Sequence, residues 1–466
     1  MFNCSKSNSE IYAIHSSKIR MNTYRNIWKI TYPIILGMMA QNIVYMVDTA
    51  FLGRVSEVAQ AAAPIAGMYY IAVFMLGMGF STGAQIIIAR RKGEGDLSNI
   101  GRVFDHSFYF LVVFALFIFG LLKFGSPIIL NGPISSPEVY RGIIEYLDVR
   151  SFGIFFAFVN VAFRSFYIGI GNTKVLIWST AAMAIVNIVL DYALIFGNWG
   201  FPQMGIAGAA FASVVSEAVV TLYFIIHLNL KRKDTNSSLL TEFQLLKPHT
   251  PDKEQFKIIF KVGVPVMIQN FMSLGGWFLF YLLIEQMGVR SLATSNIIRG
   301  IYLILMIPGI GLFSATHTLV SNTMGAGKPE EVLALVKKIV IMGFSMTILF
   351  VPITFIFPEA MISIFTNNEE LISMTVPTLY VVATALVIMP ISMITFGAVA
   401  GTGRTNMALI IELITLSIYL ICTYLLAIQF EREIHEVWYC ELIYLIVIGS
   451  LSYGYLKWGN WRESKL

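Results

Sequence analysis

Long apolar segments, separated by short polar ones, recur along the whole of this 466-residue chain. Each is at least about 20 residues long, which lets an α-helix cross the hydrocarbon core of a bilayer. None alternates apolar and polar residues with a period of two, so the pattern predicts helices rather than the strands of a membrane barrel. The predicted spans are 27–53, 58–89, 103–124, 142–168, 174–197, 205–229, 258–287, 291–322, 333–357, 374–399, 406–428 and 435–457.

The composition supports a membrane protein. Hydrophobic residues make up 57% of the chain and charged residues 13%, and the mean hydropathy is +0.73. Soluble domains carry about 25% charged residues. The expected fold class is therefore an all-α membrane protein with about twelve transmembrane helices. The net charge of +5 is no evidence for nucleic-acid binding, because the basic residues follow the topology of the spans.

The basic residues predict an orientation. If the N-terminus is cytoplasmic, most of them fall on the inner side, and the outer loops hold little beyond Arg54, Arg141, Arg290 and Arg432. The inner ones are Lys18, Arg20, Arg25, Arg90, Arg91, Lys92, Arg102, Lys174, Lys231, Arg232, Lys233, Lys247, Lys253, Lys257, Lys328, Arg404, Lys457 and Arg462. The positive-inside rule then places both termini in the cytoplasm. The expectation is a multi-pass protein of the plasma (inner) membrane.

The chain contains an internal duplication. Lys29 and Pro33 recur 232 positions later as Lys261 and Pro265. The same offset relates Gly77, Gly79, Gly93, Gly95, Gly169, Gly171 and Thr173 to Gly309, Gly311, Gly325, Gly327, Gly401, Gly403 and Thr405. Each half holds an even number of spans, so both halves enter the membrane from the same side. This predicts two parallel-repeat six-helix bundles with a substrate path between them.

Polar segments divide the chain into four parts. Residues 1–23 lack a continuous apolar core, so they are no signal peptide, and we expect a disordered extension with an alternative start at Met21. Residues 24–230 are predicted to form the N-lobe. Residues 231–256 are charged and polar and are predicted to be a cytoplasmic linker. Residues 257–466 are predicted to form the C-lobe and the C-terminal tail.

Acidic residues inside the spans carry the strongest functional signal, because each costs about 3 kcal/mol or more near the bilayer centre. Asp48 in the first span and Asp191 in the fifth shortly precede the span-ending glycines Gly53 and Gly197. At about 1.5 Å per residue, both lie roughly 8–9 Å from the outer end. Asn187 is one turn before Asp191 on the same helix face. Burial disfavours the charged form of a carboxyl group, so this pair is predicted to carry a proton or a cation.

Other side chains at similar depths extend this prediction. The predicted ion-coupling residues are Asp48, Asp191, Asn187, Asn160, Tyr45 and Ser213. The predicted substrate-cavity residues are Gln41, Met38, Met75, Met272, Trp277 and Glu217. Met adapts its shape to a ligand, and aromatic rings attract organic cations. The alternative is structural: neutral acids that hydrogen-bond between helices, Met and aromatic residues that fill the core or face lipid, and a Glu217 paired within its bundle.

The second half lacks the acidic pair. At the 232-residue offset, Asp48 corresponds to Phe280, or to Leu283 if a small insertion shifts the match, and Asp191 corresponds to Thr423. Ion coupling is therefore expected in the N-lobe alone. The acidic residues Glu412 and Glu441 are expected near the ends of their spans, at the membrane interfaces.

The sequence offers no enzyme chemistry. The three cysteines, Cys4, Cys422 and Cys440, have no pairable or metal-binding spacing. His-Glu-x-x-His, Gly-x-Ser-x-Gly and P-loop patterns are absent from the sequence. We expect no enzymatic activity, no cofactor, no bound metal apart from a coupling ion, and no nucleic acid partner.

Four segments together resemble the multidrug and toxic compound extrusion (MATE) transporters, over about residues 24–460. They are MVDTAFLGR (46–54), GNTK (171–174), NIVLDYALIFG (187–197) and GIAGAAFAS (205–213). The resemblance implies twelve helices in two six-helix lobes. It also implies export of cationic or amphipathic drugs, driven by inward movement of H⁺ or Na⁺.

The resemblance extends to a branch of that family. In the DinF-like branch, coupling is placed on acids of the first and fifth helices, which match Asp48 and Asp191. The NorM-like branch adds acids in the seventh and tenth helices, where this chain has Ser273 and Met389. This points to the DinF-like branch and to H⁺, with Na⁺ at Asp48, Asp191 and Asn187 as the alternative. Asn172 and Ile168 depart from the usual Asp and Arg of the fourth-to-fifth-span turn.

The combined prediction is a secondary active antiporter that works by rocker-switch alternating access. Its partners are small organic cations or amphipathic drugs and membrane lipid, and a monomer is the default expectation. The alternative is a lipid-linked oligosaccharide or polysaccharide flippase of the same superfamily. Such flippases tend to line their cavity with Arg and Lys, whereas acids outweigh arginines inside these spans, which favours cationic cargo.

Overall fold

The computed structural model describes residues 23–230, 239–245, 249–464 and 466. The predicted disordered extension and most of the charged part of the predicted linker, 231–238 and 246–248, lie outside the described residues.

The described residues form eleven helices long and apolar enough to cross a membrane, and twelve when one bent pair is taken as a single span. The first six are α1 (Tyr24–Leu52), α2 (Glu57–Glu94), α3 (Leu97–Leu130), α4 (Pro137–Arg150 and Gly153–Gly169), α5 (Lys174–Phe196) and α6 (Gly205–Leu230). The second six are α7 (Lys253–Glu285), α8 (Val289–Gly325), α9 (Val332–Ile356), α10 (Glu369–Gly401), α11 (Thr405–Tyr424) and α12 (Tyr439–Trp458). Short helices cover Leu239–Glu242, Pro358–Ser363 and Ile434–Val437. The predicted all-α, two-lobed fold is confirmed: α1–α6 form the N-lobe and α7–α12 the C-lobe.

Local sequence explains where these helices begin and end. The Ser56 side chain accepts a hydrogen bond from the Ala59 amide at the start of α2, which satisfies one of the unpaired N–H groups of that end. Gly95 ends α2 in a left-handed conformation with φ of 77°, which favours glycine. The Asp252 and Asn368 side chains cap α7 and α10 in the same way as Ser56 caps α2.

The fourth span is bent by 54° between Arg150 and Gly153. A Cβ atom added at Gly153 would lie 2.1 Å from Nη1 of Arg150 and 2.8 Å from Oε2 of Glu217. A glycine is therefore needed for the guanidinium to fold back across the bend. The bend places Arg150 inside the N-lobe rather than along the helix axis.

The two lobes touch at one end, which we call the base: α1 and α7 begin there and α2 and α8 end there. A Cβ atom on Gly83 of α2 would lie 2.3 Å from the Gly263 Cα of α7. Gln85 donates to the Ser314 carbonyl at 3.1 Å and to the Thr318 hydroxyl at 2.9 Å, both on α8. Backbones this close, with buried hydrogen bonds between them, mean that the lobes are closed at the base.

The described part of the linker also lies at the base, against α3. Phe243 is buried, and its carbonyl oxygen would be 2.3 Å from a Cβ atom on Gly101. Asp105 pairs with Nδ1 of His249 at 2.7 Å, and Arg102 pairs with Asp252 at 3.2 Å. The approach to α7 is thus fixed to the N-lobe by packing and by polar contacts.

Candidate ion-coupling site

Three polar side chains from α1 and α5 meet inside the N-lobe. With its amide nitrogen turned toward the carboxyl groups, Asn187 donates to Asp48 Oδ1 at 3.0 Å and to Asp191 Oδ2 at 3.2 Å. Asn187 and Asp191 are fully buried, and Asp48 is partly buried. We call these three residues the acid cluster. The juxtaposition expected from equal depth in the two helices is present in the structure.

The two carboxyl groups of the acid cluster also lie close to each other, because the same amide group bonds to both. Neighbouring carboxylates repel each other, so a proton on one of them stabilises the pair. Among the described residues, Asp191 Oδ1 is buried and has no hydrogen-bond partner. The cluster is therefore suited to hold a proton, and it has an unused oxygen that can accept a proton or ligate a cation.

Helix geometry brings these side chains together. Asn187 and Asp191 are four residues apart in α5 and so face the same neighbour. Gly197, with φ of 74°, ends α5 beyond Asp191 in a conformation that favours glycine. Gly208 lets α6 approach α5 closely, since a Cβ atom there would lie 2.8 Å from the Leu194 carbonyl oxygen.

The remaining predicted coupling residues occupy different places. Ser213 on α6 joins the acid cluster, because its Oγ lies 3.4 Å from the other end of the Asn187 amide. Asn160 does not: it donates to the Glu217 carbonyl at 2.9 Å and accepts from the Thr221 hydroxyl at 2.9 Å. The Tyr45 side chain is 56% exposed, and its role in coupling stays a prediction.

A buried ion pair adjoins the acid cluster, and sequence reasoning identified only half of it. Arg150 forms a two-pronged contact with Glu217, with nitrogen–oxygen distances of 2.8 and 2.6 Å. The guanidinium also lies 3.9 Å from the centre of the Tyr70 ring. Tyr146, one turn before Arg150, lies within electrostatic range of this pair and of both carboxyl groups of the cluster. A mid-span Glu217 signals that a cationic partner exists, but a single sequence does not name Arg150.

Two of the predicted substrate-cavity residues line a chamber in the N-lobe, and the other four stay predictions. A chamber of about 100 Å³ lies inside the N-lobe, on the base side of the acid cluster. Gln41 and Glu217 line this N-lobe chamber, but Met38, Met75, Met272 and Trp277 do not. Its lining comprises Pro33, Ile34, Gly37, Gln41, Phe74, Ala157, Asn160, Val161, Arg164, Leu176, Ser179, Thr180, Met183, Glu217, Val220 and Phe224.

The four remaining candidates lie apart from the N-lobe chamber. Met38 packs against the N-lobe core and Met75 is half-buried. Met272 on α7 is 39% exposed. Trp277 stacks on Tyr302 in the C-lobe core at 6.2 Å between ring centres. None of these contacts assigns them to a common binding surface with Gln41.

In the C-lobe, Glu412 and Glu441 lie in the first parts of α11 and α12, as expected, and both are buried against neighbouring helices. Ser273 donates to Glu412, and Tyr444 donates to it at 3.0 Å. Tyr302 donates to Glu441 at 2.8 Å. Hydroxyl groups from neighbouring helices replace water for these acids, which is why they tolerate burial.

Two homologous helical lobes that span a membrane, one of them with a buried acid cluster, define a two-lobed membrane transporter. The MatE family model matches residues 33–193 and again residues 265–425. The chain belongs to the multidrug and toxic compound extrusion (MATE) family of efflux transporters. The two matches start 232 residues apart, so the duplication and the resemblance inferred from the sequence are both confirmed.

Named relatives cover nearly the whole chain. The probable multidrug resistance protein NorM of Thermotoga maritima is 28% identical over 437 residues, which is 92% of this chain and 92% of that protein. The probable multidrug resistance protein YoeA of Bacillus subtilis is 22% identical over 468 residues, covering 97% of each. The DinF-like placement stays a prediction, carried by the residues at positions 273 and 389.

Solved structures share the fold. A structure described as the outward-facing conformation of a multidrug resistance MATE family transporter matches with a TM-score of 0.85 and 20% identity, over 93% of this chain and 94% of that one. A MOP superfamily transporter from Pyrococcus furiosus, described as having a binding pocket of reverse polarity, matches with a TM-score of 0.84 and 21% identity, again over 93% and 94%.

Proposed function

We propose that this protein is a secondary active antiporter that exports cationic or amphipathic compounds in exchange for H⁺. The observation that carries the proposal is the acid cluster, in which two carboxyl groups share the amide of Asn187 and approach each other. Two buried carboxylates this close cannot both be ionised without a large electrostatic cost. Taking up and releasing a proton is therefore the chemical event that this site is suited to.

The coupling works by changing the charge of the cluster. In the outward-open state, Asp48 or Asp191 takes up a proton from outside. The neutral carboxyl group no longer attracts a cationic substrate, and its hydrogen bonds to Asn187 and to the neighbouring helix change. Substrate then leaves, α1 rearranges, and reopening at the base releases the proton to the cytoplasm. Loss of the proton restores the attraction for the next cation.

The lobes supply the alternating access. The N-lobe (24–230) and the C-lobe (257–466) rock as two bodies joined by the linker (231–256), with the base on the cytoplasmic side. The closed base is then the cytoplasmic gate in the outward-facing state. The proposal places the protein in the plasma (inner) membrane as a monomer. The distribution of basic residues supports an orientation with both termini in the cytoplasm.

Two lines of support favour this cargo and this ion. Relatives in several bacteria bear the name multidrug resistance protein, which fits a small-molecule cargo. The acid cluster gives the N-lobe a site that attracts cations. Two buried carboxyl groups that share one amide repel each other when both are ionised, which favours uptake of H⁺ over the alternative of Na⁺ held by the oxygens of Asp48, Asn187 and Asp191.

The test is transport by the purified protein in liposomes. Movement of a fluorescent cation such as ethidium is followed under an imposed pH gradient and, separately, under a Na⁺ gradient. The Asp48→Asn variant mimics permanent protonation and is expected to fold normally and lose pH-driven transport. Asp148→Asn is the matched control, because Asp148 is half-exposed and pairs with Lys123 outside the cluster.

Each outcome has a distinct meaning. Retained pH-driven transport in the Asp48→Asn variant contradicts the assignment of Asp48 as a coupling residue. Transport under the Na⁺ gradient alone makes the acid cluster a sodium site. If the fluorescent cation moves under neither gradient, the result favours the flippase alternative.

A further inference from the structure

Arg164 on α4 lines the N-lobe chamber and has no hydrogen-bond or ion-pair partner among the described residues. Arginines inside membrane proteins are expensive and almost always pair with acids or carbonyl groups. The other charged residue that lines the chamber, Glu217, is already neutralised by its two-pronged contact with Arg150. The chamber therefore presents one uncompensated positive charge.

The chamber has the size and the access for a charged group. Its volume of about 100 Å³ accommodates a carboxylate or a phosphate group. Gln41 both lines the chamber and is exposed, so the chamber reaches the surface of the bundle at this residue. Asn160, one turn from Arg164, uses both ends of its amide in contacts within the N-lobe. Arg164 is thus the principal free donor on the chamber wall.

The second lobe shows what this layer of the fold can hold. At the 232-residue offset, Gln41 corresponds to Ser273 and Thr180 corresponds to Glu412. The Glu412 carboxylate is fully buried there and accepts a hydrogen bond from Ser273. In the C-lobe, the Glu412 carboxylate thus occupies the layer that corresponds to the N-lobe chamber. Phe396 stands where the N-lobe has Arg164.

We infer that the N-lobe chamber binds an anionic group, a carboxylate or a phosphate, on Arg164. A guanidinium holds its N–H donors in a rigid, planar arrangement that matches the oxygens of a carboxylate or a phosphate. The inference rests on the proposed export function and narrows its cargo to zwitterionic amphiphiles. The cationic end of such a molecule faces the acid cluster, and its anionic end lies toward the base at Arg164.

The test compares two dyes that differ only in this group, zwitterionic tetramethylrhodamine and its cationic methyl ester. Binding to the purified protein is measured by fluorescence anisotropy. The wild type is expected to bind the acid at least about tenfold more tightly than the ester, because a charge-assisted hydrogen bond is lost on esterification. Arg164→Gln is expected to bring this ratio close to one.

Two further variants keep the result interpretable. Arg164→Lys retains the charge but loses this planar arrangement of donors, so it is expected to retain part of the preference and reports on folding as well. Arg432→Gln removes an exposed arginine of the C-lobe and is expected to leave the ratio unchanged. Size-exclusion chromatography checks that each variant is monodisperse.

A second arm identifies the source of the anionic group. Phospholipid that co-purifies with the wild type and with Arg164→Gln is counted by mass spectrometry, and phosphatidylglycerol is titrated against the bound acid dye. Loss of one lipid in the variant, with displacement of the dye by phosphatidylglycerol, identifies a lipid phosphate. A dye preference without either effect identifies a carboxylate-bearing cargo.

The anion site and the proposed antiport function can be refuted independently of each other. Equal binding of acid and ester in the wild type, with no lipid lost in Arg164→Gln, overturns the anion site. Transport of the methyl ester under a pH gradient tests the antiport function and does not involve the carboxylate. If the pH gradient drives movement of the ester but the protein binds acid and ester equally, the antiport function is supported and the anion site is refuted.

Discussion

The two lobes share a fold but differ in the chemistry of the same layer. The duplication places Asp48, Asn187 and Asp191 opposite Phe280, Tyr419 and Thr423. The rings of Phe280 and Tyr419 stack at 5.4 Å, so the C-lobe pair touches just as Asp48 and Asn187 do in the N-lobe. The helix packing that joins these positions thus survives a complete change from polar to aromatic side chains.

The acids of the C-lobe also have different hydrogen-bond donors from those of the N-lobe. Glu412 and Glu441 are each held by hydroxyl groups of other helices, and neither shares a donor with a second carboxyl group in the way that Asp48 and Asp191 share Asn187. A carboxyl group with its own donors can stay in one protonation state without affecting another acid. Two carboxyl groups that share a donor affect each other's charge. The comparison teaches that burial alone does not make a coupling site, whereas mutual contact between acids does.

The largest expected effect comes from breaking the N-lobe pair at its more buried member. Asp191→Asn removes one of the two titratable carboxyl groups that share the Asn187 amide, so pH-driven transport in liposomes should fall to the level without protein. Folding should be retained, because a neutral amide replaces a group that is already hydrogen-bonded. The C-lobe counterpart Thr423→Asn is the matched variant, and its transport should stay near that of the wild type. Equal losses in both variants contradict the asymmetry between lobes.

A smaller effect, on stability, is expected at the ion pair beside the cluster. Arg150→Ala leaves Glu217 buried without its partner, which should cost about 3–5 kcal/mol of unfolding free energy. The double variant Arg150→Met/Glu217→Leu should recover much of this loss, since it removes both charges. Thermal unfolding of the purified variants measures both. Val382 occupies the C-lobe position equivalent to Arg150, and Val382→Ala should cost less.

A double variant no more stable than Arg150→Ala contradicts the account of an isolated buried pair. It would mean that Arg150 is also needed by Tyr70 or by the acid cluster. The transport assay separates these cases, because a role in the cluster alters pH-driven movement and a role in packing alters only stability.

The sequence predicted the parts of the molecule that depend on local or periodic signals. Hydrophobic length gave the spans, the 232-residue offset gave the two lobes, and helix geometry gave the common depth of Asp48 and Asp191. Asn187 followed from its spacing of one turn from Asp191. Apart from the assumption that α1 and α5 are neighbours, these inferences require no knowledge of which helices pack together.

The parts that it missed depend on contacts between helices distant in sequence. Arg150 reaches Glu217 because α4 bends at Gly153, and no signal in the span states the angle of that bend. Glu412 follows the start of α11 closely, but its span alone does not show that Ser273 and Tyr444 from two other helices contact it.

A test of the C-lobe sharpens the comparison further. Glu412→Gln keeps the shape of the side chain but changes its hydrogen bonds to Ser273 and Tyr444, so about 1–3 kcal/mol of stability should be lost. Coupling to the pH gradient should persist, because no second carboxyl group shares these donors. Thermal unfolding and liposome transport of the same preparation measure the two effects. Loss of pH-driven transport with unchanged stability would show that the C-lobe also couples to protons.

The smallest effect is expected at the edge of the acid cluster. Ser213 Oγ lies 3.4 Å from the Asn187 amide, at the long end of hydrogen-bond geometry, so Ser213→Ala should change the pH-driven transport rate by less than about twofold. Asn187→Ala, by contrast, removes the donor that both carboxyl groups share and should lower the rate several times more. The liposome assay ranks the two variants. A Ser213→Ala loss as large as that of Asn187→Ala would mean that the hydroxyl fixes the orientation of the amide, and the coupling site would then extend from α1 and α5 to α6.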